Sequence, residues 1–96
     1  MTLSSEARVA TDMPRRYMTQ LCKHFEHKLP VAYDDTKGRI EFSAGICLLE
    51  AAKDALILRA EAADTAALRQ VEGVVARHLD RFAFREKPEI AWQETA

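Results

Sequence analysis

The segment CKHFEHK, residues Cys22 to Lys28, places one thiol and two imidazoles close together in the chain. Donors of these types bind zinc when three or four of them converge on one ion at about 2.0 to 2.3 Å. Successive residues of a helix are turned by about 100°, so Cys22 and His24 would lie on opposite flanks of its apolar stripe and His27 would point to solvent. The segment is therefore predicted to be the end of an ordinary helix.

His78 is the other titratable side chain that could do chemistry, because it falls on the apolar side of a second helix, between Val75 and Leu79. We interpret it as a largely buried, neutral imidazole that is hydrogen-bonded to a backbone carbonyl or a nearby side chain. If the two helices run antiparallel, His78 lies roughly 15 Å from His24, and the two do not share a site.

A metal- or haem-binding protein that uses His24, His27 or His78 nevertheless stays open as the alternative function. Two imidazoles without a third donor make a weak chelate, so the sequence favours no metal site and predicts no cofactor. The two cysteines, Cys22 and Cys47, are interpreted as small buried hydrophobic residues.

The outer face of the first helix carries a basic stripe, formed by Arg16, Gln20, Lys23 and His27 at spacings of four, three and four. Such a stripe could hold a phosphate, a carboxylate-bearing ligand or an acidic partner, although a charged helix face is commonly only its solvated side. The candidate ligand-binding residues are Arg16, Lys23, His24, His27 and His78.

Signals of catalysis are missing from the sequence. There is no glycine-rich phosphate loop and no G-x-S-x-G elbow, and no serine or cysteine has an evident histidine and carboxylate to activate it. The adjacent Asp34 and Asp35 are interpreted as turn residues before Gly38. We therefore favour a protein that is not an enzyme. A small hydrolase or isomerase is the least favoured alternative, and would need a deep pocket around a strongly shifted carboxylate or histidine.

The strands and helices that must position these residues are predicted from the spacing of apolar residues and from turn and cap residues. A first strand in EARVAT precedes a helix that Asp12 caps and Pro14 begins, and which runs to about His27. Two hairpins follow: LPVAY and RIEFS flank DDTKG, and GICLLEA and ALILRAEA flank AKD. Asp64 caps a second helix, whose apolar face is Leu68, Val71, Val75, Leu79 and Phe82. A closing strand is predicted in EIAWQ.

The predicted order is thus β-α-β-β-β-β-α-β, in one domain over residues 1–96 with an ordered core at about 5–94. We expect an α+β two-layer sandwich, in which two helices cover one face of a mostly antiparallel sheet of five to six strands. This is a ferredoxin-like plan with an extra hairpin. If Cys47, Leu49 and Ala51 point inward, the uncovered face carries Ile46, Leu48 and Ile57, and a homodimer through that face is predicted.

Composition excludes several broad classes of protein. Ninety-six residues, 48% hydrophobic and 30% charged with a net charge of −1, are typical of one small globular domain. So small a net charge provides no general attraction to nucleic acid, and no apolar run approaches the roughly 20 residues of a membrane span. Two cysteines and the absence of a secretory signal predict a cytoplasmic protein with reduced thiols.

Two stretches, LCKHFEHKLPVAYDDTKGRIEF and RHLDRFAFRE, resemble the DUF2218 family of small bacterial proteins, and the resemblance extends from about Ser5 to Trp92. The resemblance implies no assigned activity and supplies no catalytic residues. Domains similar to it are sometimes joined to siderophore-interacting ferric reductase modules, which implies an iron-related context. We therefore expect a bacterial binding or interaction module for a protein partner or a small anionic ligand, with no nucleic acid or membrane among its partners.

Overall fold

The computed structural model describes residues 2–83, 85–86 and 88–95. Its elements follow the predicted order: β1 (Leu3–Ala10), α1 (Pro14–Glu26), β2 (Val31–Tyr33), β3 (Lys37–Glu41), β4 (Gly45–Ala51), β5 (Ala55–Ala62), α2 (Thr65–Phe82) and β6 (Gln93–Thr95). The predicted domain of residues 1–96 also includes Met1, Phe84, Lys87 and Ala96, which lie outside the described residues.

The six strands form one sheet in the order β2-β3-β4-β5-β1-β6, and all of these neighbouring strands are antiparallel. The two helices contact the sheet on one side, which leaves the other side uncovered. The predicted α+β sandwich of two helices on an antiparallel sheet is confirmed.

Alternation along β3, β4 and β5 decides which side chains enter the core. Cys47 and Leu49 of β4 are buried, as are Leu56 and Leu58 of β5, whereas the residues between them are partly or fully exposed. Because the side-chain period of a strand is two, the inward set fixes the outward set. The helices complete the core with Met18, Leu21, Leu68, Val71, Val75 and Leu79, all at most 1% exposed.

Local hydrogen bonds agree with two of the predicted turn and cap residues. Asp34 accepts hydrogen bonds from the backbone N–H groups of Thr36 and Lys37, which shapes the turn between β2 and β3. Asp64 caps α2 by accepting from the backbone N–H of Ala67 at 2.8 Å.

The start of α1 differs from the prediction. Its N-cap is Met13, which makes no side-chain cap, and Asp12 is exposed. The hydroxyl of Thr11 instead accepts a hydrogen bond from the Met13 backbone N–H at 3.1 Å. Thr11, a buried residue directly after β1, therefore provides a hydrogen-bond acceptor at the start of α1, where the sequence predicted Asp12.

The closing strand was predicted too early in the chain. It is formed by Gln93–Thr95, which pairs with residues 4–6 of β1, rather than by EIAWQ. Ile90 and Trp92 are partly buried against the core in an irregular segment. These two apolar residues are present because they pack against the core, not because they belong to a strand. The periodicity of the sequence alone cannot distinguish a packed irregular segment from a strand.

A buried polar network attaches α2 to the sheet. Glu72 is only 6% exposed, and its carboxylate accepts hydrogen bonds from the Ser5 hydroxyl at 2.5 Å and from the Arg69 guanidinium at 2.8 and 2.9 Å. Arg69 also binds Glu94 of β6. The network satisfies polar groups that would otherwise be desolvated without partners, and it joins α2 to β1 and β6.

No helix within the described residues is long and apolar enough to cross a membrane.

Replacing Glu72 with alanine is expected to lower the free energy of unfolding by about 2 kcal/mol, because the buried Ser5 hydroxyl loses its acceptor. Urea denaturation followed by circular dichroism measures this loss. The control is Gln70→Ala, an exposed position in the same turn of α2, which should change stability by no more than about 0.5 kcal/mol. Equal losses in the two variants would contradict a stabilising role for the network.

Candidate functional site

His24 of α1 and His78 of α2 lie side by side, with ring centroids 4.7 Å apart and ring planes inclined at 49°. The predicted separation of roughly 15 Å is therefore wrong. That prediction assumed that the two helices run antiparallel, with the end of α2 beside the start of α1. The N-terminal half of α2 is instead tied to β1 and β6 through Ser5 and Glu94, while its C-terminal part reaches the last turn of α1.

Aromatic rings contact both members of this histidine pair, of which His24 is exposed and His78 partly exposed. The ring of His24 makes edge contacts with Phe25 at 5.0 Å and with Phe82 at 5.8 Å, and Phe25 also lies 4.8 Å from His78. Phe25 in turn packs against Phe42, which follows β3. The two imidazoles are thus held at the edge of the hydrophobic core.

The ring orientation of His78 is set by its own helix. Its Nδ1 lies 2.7 Å from the carbonyl oxygen of Val74, four residues earlier. Because a carbonyl only accepts, Nδ1 carries the proton and donates, which leaves Nε2 as the nitrogen available to a ligand. The predicted hydrogen bond to a backbone carbonyl is confirmed, although His78 is partly exposed rather than largely buried.

The surroundings of His24 are rich in positive charge. The pKa of His24 is lowered from its ordinary value of 6.5, first by desolvation of the ring and then by His78, Arg81, Lys28 and His27. We call these five residues, His24, His27, Lys28, His78 and Arg81, the histidine cluster. It lies at the C-terminal ends of both helices, where the helix dipoles favour positive charge.

The predicted basic stripe of α1 is divided between two places. Arg16 lies near the start of the helix and lines a concavity with Arg15 and Lys53, whereas Lys23 and His27 are exposed towards its end. Between them the side-chain oxygen of Gln20 is buried and has no hydrogen-bond partner among the described residues. The stripe is therefore not one continuous surface, and Arg16 is remote in sequence and in the helix from the histidine cluster.

Both cysteines are free and buried, as predicted for small hydrophobic residues. Desolvation raises the pKa of Cys22 to about 11 and that of Cys47 to about 12, so both thiols are protonated at neutral pH. A Cβ added to Gly38 of β3 would come within 2.9 Å of the Cys22 sulfur, which marks a close approach of α1 to the sheet. Cys22 thus faces the core, away from His24.

No group of three or more histidine, cysteine, aspartate or glutamate side chains suited to a metal ion occurs in the described part of the chain.

A second surface, on the uncovered side of the sheet, is a shallow groove of about 570 Å³. Leu48 and Ile57 form part of its lining and are only partly exposed. Its charged lining residues are three acids and three bases: Glu6, Asp34, Glu50, Lys37, Arg39 and Arg59. Asp34 has a lowered pKa, caused first by the backbone N–H groups of Thr36 and Lys37, so it stays ionised in its turn.

Sequence reasoning missed Lys28 and Arg81 as members of the histidine cluster. Arg81 follows His78 by three residues, a spacing that places two side chains on the same face of a helix, so the signal was present. Its meeting with His24 could not be read from the chain, because it depends on how α2 lies over the sheet.

Comparisons with known proteins agree with this architecture. Residues 6–93 match the family described as "Uncharacterized protein conserved in bacteria (DUF2218)". One solved structure, the NMR structure of PA4090 from Pseudomonas aeruginosa, is 37% identical with a TM-score of 0.81 over 95% of both chains. No curated protein matches. The chain, with its two helices on a six-stranded sheet, belongs to the DUF2218 family.

Proposed function

We propose that this protein is a non-catalytic binding module that captures a small anion at the histidine cluster. The observation that carries the proposal is the contact between His24 and His78, at 4.7 Å between ring centroids, among positive groups from both helices. Imidazolium, ammonium and guanidinium groups all donate charge-assisted hydrogen bonds to phosphate and carboxylate oxygens. Arg81 adds a planar fork of donors that suits such oxyanions.

The charge of the cluster favours an anion over a metal cation. Arg81 and Lys28 act on the pKa of His24 as positive charges, and such charges would repel a divalent ion. The hydrogen bond to Val74 leaves His78 only one free nitrogen, and two imidazoles supply half of a tetrahedral zinc site. An anion would relieve the repulsion among the same groups.

The family resemblance suggests an iron-related context for the anion. A siderophore that bears carboxylates would meet the same requirement as phosphate, namely oxyanions that accept from several donors at once. Citrate and ferric citrate are therefore useful probes beside inorganic phosphate. We also propose a cytoplasmic location, for which the two free cysteines are the support.

Phosphate, citrate and ferric citrate should each be titrated into the protein and followed by calorimetry and by amide chemical shifts. Binding should perturb the ends of α1 and α2. His78→Ala and Arg81→Ala should each weaken it about tenfold, because a hydrogen bond to a charged group contributes roughly 1.5 kcal/mol. Lys53→Ala, at a basic position outside the cluster, should bind as the unmodified protein does. Equal affinity in all variants, or no binding of any probe, would refute the anion site.

Anion affinity should rise as the pH falls below 6.5, the ordinary pKa of histidine. The pKa of His24 is lowered in the free protein, so this ring is mostly neutral at pH 7 and must take up a proton to pair with an anion. Below the lowered pKa the proton is already present, so binding is strongest there and weakens as the pH rises. In His24→Gln this pH dependence should flatten. A pH-independent affinity that is unchanged in His24→Gln would contradict the role of this imidazole.

Metal binding is the second candidate function, since the histidine pair supplies two nitrogen ligands. Zinc and nickel added to untagged, chelator-treated protein are expected to bind more weakly than micromolar, because only two imidazoles are offered within a positive field. Stoichiometric metal that survives dialysis and is lost in His78→Ala would favour the metal site and overturn the anion proposal.

A further inference from the structure

The uncovered side of the sheet has an apolar centre. Ile46 and Leu48 of β4 and Ile57 of β5 point to this side, and each is only partly exposed although none of the described elements covers them. Their inward neighbours Cys47 and Leu49 are buried, as the predicted orientation of β4 requires. Leu48 and Ile57 line the same groove, and apolar side chains grouped on an uncovered, otherwise charged surface are typical of an interaction site.

Charges of opposite sign stand at equal distances on both sides of this centre. The strand registers place Arg39, Leu48, Arg59 and Glu6 in one row that crosses β3, β4, β5 and β1. Arg39 and Glu6 are thus the two ends of a row whose midpoint is the boundary between β4 and β5. Rotation about an axis along that boundary exchanges the position of Arg39 with that of Glu6.

Arg39 and Glu6, the two ends of this row, make only long ion pairs with other described residues of the chain. Arg39 Nε lies 4.0 Å from Glu41, and Glu6 lies 3.9 Å from Arg59, with about half of each side chain of Arg39 and Glu6 exposed. Arg59 has a shorter contact of 3.1 Å with Glu61. Exposed ion pairs of this length contribute roughly 0 to 1 kcal/mol to stability. Arg39 and Glu6 could therefore leave these pairs and form ion pairs with another molecule at little cost.

The balance of acidic and basic residues in the groove indicates what kind of partner could bind there. Its three acids and three bases give it no net charge, so it does not attract a small ion or a nucleic acid preferentially. An occupant with the same mixture of charges around an apolar centre would complement it. A second copy of the chain presents this surface.

We propose that two copies of this protein dock through their uncovered sheet faces, related by a two-fold axis along the boundary between β4 and β5. Arg39 then meets the partner's Glu6, and the symmetry repeats this pair on the other side. Leu48 meets the stem of the partner's Arg59, which covers this apolar side chain. The same axis brings Lys37 towards the partner's Arg8, whose charge is already paired with Asp54 at 3.1 Å.

Charge reversal tests this arrangement. Sedimentation equilibrium on the full chain should give a dimer with a micromolar dissociation constant that weakens with salt. Arg39→Glu and Glu6→Arg, made separately, should each weaken the dimer about tenfold or more, because like charges then face each other twice. The double variant R39E/E6R should recover most of the affinity, since it restores both pairs in the opposite sense.

Two controls keep the test independent of folding and of net charge. Arg15→Glu makes the same charge change as Arg39→Glu on an exposed part of α1, and it should leave the dimer intact. Leu48→Asp should abolish the dimer, while circular dichroism shows the fold unchanged, because its side chain points away from the core. A monomer at all concentrations, or a dimer that the double variant fails to restore, would overturn the proposal.

Discussion

The six strands bury their inward side chains against α1 and α2, and this single apolar layer is the constraint on which the remaining features depend. Residues at most a few per cent exposed from every long strand and both helices meet there, among them Val9, Leu21, Leu56, Leu58 and Val75. Because each strand alternates, the same burial fixes an outward row of side chains that the core does not need. Those outward rows are where recognition can occur without loss of stability.

The position of α2 over the sheet decides which titratable side chains of the two helices meet at the surface. Glu72 is held by Ser5 of β1 and by Arg69, which also reaches Glu94 of β6. The N-terminal half of the helix is thereby anchored at one side of the sheet, and the last turns lie against the end of α1. The histidine cluster therefore forms because the anchored α2 brings His78 and Arg81 to the residues that CKHFEHK supplies, His24, His27 and Lys28.

The two candidate surfaces lie on opposite sides of the molecule. The histidine cluster belongs to the helical layer, whereas the apolar centre with Leu48 and Ile57 belongs to the uncovered side of the sheet. A dimer formed through the sheets would leave one histidine cluster exposed on each outer side. The proposed anion capture and the proposed self-association would therefore be separable, since neither surface uses a residue of the other.

The sequence by itself determined the order of elements, the antiparallel plan and the inward set of β4 and β5, because these follow from local periodicity and turn chemistry. It also determined the Asp64 cap and the Asp34 turn, since each is a contact within three residues. It did not determine the start of α1, where Thr11 contributes from its position directly after β1, or the place of β6, which pairs with β1 from Ser4 to Glu6. The meeting of His24 with His78 joins residues 54 positions apart, and only the tertiary structure decided it. The physical reason is that the apolar pattern of a helix is compatible with several positions and angles over a sheet. Packing against the sheet and the buried Glu72 network select one of them.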